Sequence, residues 1–202
     1  MKPISQRKSR PIPEVLTNEE QSRLLAALAP SSKLKLRNLC MTRLMLNAGL
    51  RSAEVVAIRH RDIEWSSSQL KVRNGKGGRD RILWLSDEDL CLLRQCAEAQ
   101  GKCSPSSLIF QTRLGKAIDT RFLRAMLEKK GRLAGLIKRV HPHLLRHTFA
   151  TDLLRATRNI YLVQKALGHS SIQTTQVYLH LVDDELEVAL KGLRNGEADR
   201  AL

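Results

Sequence analysis

Tyr178 is one of only two tyrosines in the 202-residue chain, and it stands nine residues after His169 in the stretch GHSSIQTTQVYLH (168–180). Aromatics make up 3% of the residues, so an aromatic with a polar tip needs an explanation. Upstream lies HPHLLRH (141–147), in which His143 and Arg146 are three apart and share a helical face. Further upstream, Arg51 falls between two helical patterns, and Lys76 sits in the glycine-rich run NGKGG (74–78). Together these residues are a phenol, several permanent or potential cations, and imidazoles able to move protons near neutral pH. Such groups suit an anionic substrate.

Two other chemistries fit poorly. Gly75-Lys76 lacks the Ser or Thr that follows the lysine of a phosphate loop, since Gly77 stands there, and Leu70 occupies the place of its first glycine. His141, His143 and His147 include an i, i+4 pair, but the glutamate of a zinc-protease helix is absent and Arg146 stands among them. No metal site is therefore expected.

The elements that must position these residues read as mainly helical. Thr17-Asn18-Glu19-Glu20 fits a capping box before a helix carrying Leu24, Leu25 and Leu28. A second helix spans 33–47, Gly49 is a left-handed stop, and Ser52 caps a short helix to about Ile58 with Glu54 in its first turn. Leu70–Arg73 and Arg81–Leu85 predict a hairpin. Helices follow over Ser86 to about Gln100, Thr120 to Lys130 with Gly131 as stop, from Pro142 through Leu154, and Ile160 to Leu167 closed by Gly168; Ser170 or Ser171 caps the one carrying Tyr178. The expected fold class is mainly α with a small antiparallel β-sheet (α+β).

The charge points to the partner. Thirty-five Lys+Arg against 20 Asp+Glu leave +15, a field that captures polyanions. Nucleic acid is the leading partner. No basic amphipathic helix with large apolar anchors and no long apolar run supports a membrane, so a cytoplasmic location is expected. Interleaved aromatics of the kind that stack RNA bases are lacking. The four cysteines show no C-x-x-C spacing and are expected to be reduced and mostly buried.

AGLRSAEVVAIRHRDIE (48–64), VRNGKGGRDRILWL (72–85), HPHLLRHTFATDLL (141–154) and LGHSSIQTTQVYLHL (167–181), in this order and spacing, resemble the catalytic domain of the tyrosine recombinases, also called the phage integrase family. The resemblance covers most of the chain and implies that family's catalytic-domain fold. It implies a site-specific DNA recombinase that cuts and rejoins strands through a 3′-phosphotyrosyl intermediate, with no metal, ATP or other cofactor. Arg51 and Arg146 would clamp the scissile phosphate, a task suited to forked guanidiniums. His169 would donate to the phosphate, Lys76 would protonate the leaving 5′-oxygen, His143 would help manage the tyrosine's proton, and Tyr178 would be the nucleophile. Glu54 would orient Arg51 or cap its helix. Arg79 and Arg81 are candidate contacts to the DNA backbone. Tyr161 is expected to be a half-buried packing aromatic, and Lys71 and Lys165 plain surface lysines.

The expected organisation is a flexible basic arm (1–13), the catalytic domain (14–182), and a C-terminal helical tail (183–202). Leu186, Leu190 and Leu193 in that tail would dock on a neighbouring protomer. The chain resembles the small bacterial members without a separate core-binding domain. The implied partners are double-stranded DNA, a homo-oligomer on that DNA (a tetramer in the synaptic complex), and accessory DNA-binding or DNA-bending proteins. Two alternatives are a catalytically silent DNA-binding regulator that keeps the fold and a DNA-relaxing enzyme of the type IB topoisomerase kind, which shares the nucleophile and clamp.

Overall fold

The computed structural model describes residues 13–73, 80–101, 103–169, 175 and 178. The basic arm up to residue 12, the hairpin turn with Lys76 and Arg79, the Ser170/Ser171 cap and the tail with Leu186, Leu190 and Leu193 lie outside them.

Seven α-helices, one 3-10 turn (His60–Asp62) and a three-stranded sheet are described: α1 (Asn18–Ala26), α2 (Lys33–Asn47), α3 (Ser52–Val56), β1 (Ile63–Glu64), β2 (Gln69–Val72), β3 (Arg81–Trp84), α4 (Asp87–Glu98), α5 (Thr120–Leu133), α6 (Pro142–Thr157) and α7 (Ile160–Leu167). The mainly helical reading with a small antiparallel sheet holds. The sheet order is β1-β2-β3, with Leu70 opposite Leu83 and Val72 opposite Arg81. The hairpin is as read from sequence, and the two-residue β1 is an addition, too short to show a period of its own.

Helix α2 is central. Leu39, Cys40, Met41, Leu44 and Met45 bury one face, which packs on α4 and α6. A second cluster of Ala150, Leu154, Val163, Leu167 and Tyr178 joins α6 to α7. The predicted caps form: Thr17 accepts from Glu20 N while Glu20 returns a bond to Thr17 N, and Gly168 closes α7 at φ 64°.

Some expectations shift. The short third helix ends at Val56, and Arg51, not Ser52, is its N-cap residue, because Glu54 reaches back to the Arg51 N–H. Helix α5 runs through Gly131 to Leu133. There the missing side chain admits Val140, whose Cγ2 would lie 2.4 Å from an added Cβ. Cys40 and Cys96 are buried, but Cys91 is exposed and Cys103 intermediate. Tyr161 is 69% exposed, with Ile82, Trp84 and Leu162 exposed nearby on β3 and α7. It faces outward because α7 buries Val163 and Leu167 instead.

Candidate active site

The α2–α3 junction places the first cation. Gly49 takes φ 63°, and an added Cβ there would lie 2.3 Å from Phe149 Cδ1, so the backbone turns in space only glycine leaves open. Arg51 follows, half-buried, with Nη1 donating to Glu54 Oε1 at 2.9 Å. Glu54 thus both caps α3 and orients Arg51, the two roles weighed for it from sequence.

Glu54 has a second guanidinium. Arg81 Nη1 and Nη2 donate to Oε1 and Oε2, each at 2.9 Å, and Arg81 Nε donates to the Ala166 carbonyl at 2.9 Å. The Arg81 side chain is 8% exposed. This corrects the backbone-contact expectation for Arg81: its fork is spent on Glu54 and the end of α7, so it is not presented outward. Sequence could not show this, because a charge in a strand next to a basic turn reads as a solvent-facing one. Burial pushes the Glu54 carboxyl up, but Arg81 and Arg51 outweigh it and hold it at about 2.

Arg146 is buried, one turn into α6. It donates to the Gly49 carbonyl, and through Nη2 to the Leu167 carbonyl at 2.6 Å. It therefore ties the α2–α3 junction to the end of α7. Burial, with Arg51 and Arg81 nearby, pulls its guanidinium down to about 9. His169, just past Gly168, has Nδ1 3.0 Å from Thr175 Oγ1. Burial first, then Arg146, Arg51, Arg81 and His147, push its imidazole down to about 4. Arg51, Arg146 and His169 thus act on one another electrostatically, and positive potential is held there against repulsion, which suits an anion.

Tyr178 is 2% exposed. Its hydroxyl lies 2.6 Å from His147 Nδ1. Burial raises the phenol to about 12, with Arg146 pulling the other way. Burial, His143, Arg146 and His141 lower the His147 imidazole. His143 is exposed, and its ring makes an edge contact to that of His141 at 6.5 Å. The expected partner of the tyrosine therefore shifts by one helical turn. His143 is the second residue of α6, where the helix end is open, while His147 lies deeper against Tyr178. The sequence reading assigns His147 no catalytic role, although its i, i+4 relation to His143 is the signal that points to it. Among the described residues no group of His, Cys, Asp or Glu is arranged to hold a metal ion.

The comparisons with known proteins bear on the family and the fold. A family model described as "Phage integrase family" matches residues 14–185. The chain is 36% identical over 172 residues to a tyrosine recombinase XerC of Xanthomonas campestris pv. campestris (strain B100), covering 85% of this chain and 52% of that protein. It thus spans about half the length of the curated relatives it matches. The fold superposes on that of XerA recombinase with TM-score 0.75 and 29% identity, covering 98% of this chain and 68% of the other. A XerH site-specific recombinase bound to palindromic difH substrate, a post-cleavage complex, gives TM-score 0.76 and 29% identity over 89% of this chain and 53% of that one. With a catalytic-domain fold shared with these recombinases and a family-model match running through residues 14–185, this protein belongs to the phage integrase family.

Proposed function

We propose that the chain is the catalytic part of a site-specific DNA recombinase that breaks and rejoins strands through Tyr178. The observation that carries this reading is that Arg51, Arg146 and His169 act on one another electrostatically beside a tyrosine hydrogen-bonded to a histidine, from three separate stretches of sequence. Arg51 and Arg146 neutralise the non-bridging oxygens of the scissile phosphate, and His169 donates to it. Preorganised donors of this kind lower the barrier by several kcal/mol. The Tyr178 oxygen attacks phosphorus, the bond from phosphorus to the 5′-oxygen breaks, and a 3′-phosphotyrosyl link forms. Lys76 protonates the departing 5′-oxygen. Reversal by another 5′-hydroxyl rejoins the strand. Bond energy is conserved, so the step needs neither ATP nor metal.

The tyrosine's proton goes to His147. With the phenol at about 12, only about one molecule in 10⁵ is ionised at pH 7, so a base in contact is needed. His147 Nδ1, lowered toward the neutral form, can accept from the hydroxyl 2.6 Å away. At 2% exposure the phenol must also leave its pocket against Leu154 and Val163 to reach DNA, so cleavage is coupled to a movement of Tyr178. His143, at the open end of α6, is free to meet the DNA. A homo-oligomer on DNA, with the 183–202 segment docked on a neighbour, completes the proposal.

The test compares wild type with Tyr178→Phe. Protein isolated under denaturing conditions retains covalently attached DNA only if the hydroxyl is present, and native DNA binding is nearly the same for both. Equal loss of adduct and of native binding would remove the nucleophile role. Arg146→Lys leaves adduct formation severely impaired, because an ammonium cannot reproduce the fork. Adduct formation survives EDTA.

A further inference from the structure

At the other end of α2 from Arg51 lies a cavity of about 540 Å³ lined by Lys33, Arg37 and Arg113, with Ser32, Gln111 and Thr112 among its polar neighbours. No carboxylate lines it. Other cavities do carry acids, Glu54 and Asp62 in one and Asp80 in another. Elsewhere in the chain half-buried cations rest on carboxylates: Arg43 on Glu88 and Asp89, Lys138 on Glu20. Here the acceptors are neutral. Arg37 Nη1 donates to the Gln111 carbonyl at 2.6 Å, Arg37 Nε and Nη2 to Asn38 Oδ1, and Lys33 Nζ to the Ala99 carbonyl at 3.1 Å.

The helix terminus adds to the imbalance. The first turn of α2 contains no acid, as in α5, α6 and α7, but it carries two lysines, Lys33 and Lys35, whereas α1 and α4 place Glu19 and Glu20, and Asp87, Glu88 and Asp89, in their first turns. Cations at a helix N-terminus oppose its dipole. Local choices that work against folding mark places kept for function. Partly buried Arg37, held also by the Phe122 ring 5.4 Å from its guanidinium carbon, is fixed in place while retaining unused N–H donors.

We propose that this cavity is a second phosphate-binding site, and that its occupant is a backbone phosphate of the bound DNA away from the cleavage position. Helix α2 has 15 residues, so at 1.5 Å per residue the two sites are about 22 Å apart, equivalent to roughly six or seven base pairs. The proposal rests on DNA being the partner. It adds a grip that fixes the duplex relative to the catalytic clamp without reading sequence.

The experiment measures affinity for a 30-base-pair duplex over a series of salt concentrations, for wild type, Arg37→Gln, Arg113→Gln and Arg51→Gln. A lost phosphate contact lowers the slope of log affinity against log salt by about 0.9. Arg37→Gln and Arg113→Gln are expected to show that loss, additive with Arg51→Gln. Arg113 is exposed and has no partner among the described residues, so Arg113→Gln reports even if Arg37→Gln does not fold. Unchanged slopes with wild-type affinity intact overturn the second site while leaving the recombinase reading standing. No affinity of wild type for the duplex overturns both. Calorimetric titration with inorganic phosphate separates the sources. Saturable binding that Arg113→Gln abolishes, with the DNA slope unchanged, overturns DNA as the occupant in favour of a free phosphorylated ligand.

Discussion

Replacing Glu54 by glutamine removes the one negative charge bonded to both Arg51 and Arg81. The native carboxylate accepts from Arg51 N at 2.8 Å, from Arg51 Nη1, and from both Nη atoms of Arg81. Glutamine has the same shape, but its NH₂ would face a guanidinium donor. The magnitude follows from linkage. The Glu54 carboxyl is held at about 2 against an ordinary 4.5, a shift worth about 3 kcal/mol at neutral pH. Its side chain is 7% exposed, so solvent screening takes little from this figure, and breaking a buried pair typically costs about 3–5 kcal/mol. The folded value is depressed, so the contribution is present above pH 4.5 and is lost as pH falls toward 2. Urea denaturation of the free protein at pH 7 is expected to show Glu54→Gln less stable by about 3 kcal/mol, with the gap narrowing below pH 4.5. Bound DNA, by supplying another anion, narrows it too. A variant within about 1 kcal/mol of wild type at pH 7, with an unaltered acid limb, would refute the view that Glu54 holds the cationic site together.

The His169 imidazole, depressed to about 4, is neutral in the free protein, and a phosphate between the arginines raises it. DNA binding therefore takes up a proton, and affinity increases as pH falls from about 6.5; His169→Gln flattens that dependence, and a wild-type profile matching the variant's argues against the phosphate contact. His147→Phe is expected to lower covalent adduct formation by about 10²-fold or more with DNA binding retained, while His143→Phe leaves the pH profile of adduct formation unchanged; the reverse ranking would return the proton to His143. Gly49→Ala meets Phe149 and needs φ 63°, whereas Gly101→Ala at φ 78° has open space around it. Thermal melts should show Gly101→Ala costing about 1 kcal/mol and Gly49→Ala clearly more, since it also displaces the carbonyl that Arg146 grips.

Much of this molecule is written locally. The Thr17–Glu20 box, the Gly168 stop and the leucine faces of α2 and α6 depend on neighbours within a turn, so periodicity and capping chemistry are enough to find them. The four motifs likewise sufficed to identify the family. Contacts across long separations were not legible. Arg81 and Glu54 are 27 residues apart, and only the packing of β3 beside α3 and α7 turns a seemingly solvent-facing arginine into a buried brace. The choice of His147 over His143 as the tyrosine's partner depends on how deeply each turn of α6 sits against Tyr178, 31 residues on. Gly131 reads as a helix stop until Val140 fills the space its side chain would take. The sequence determined which groups were available, because residue type and spacing carry that information. The tertiary structure decided which charges were buried and paired, because desolvation and hydrogen-bond geometry exist only once distant elements pack together.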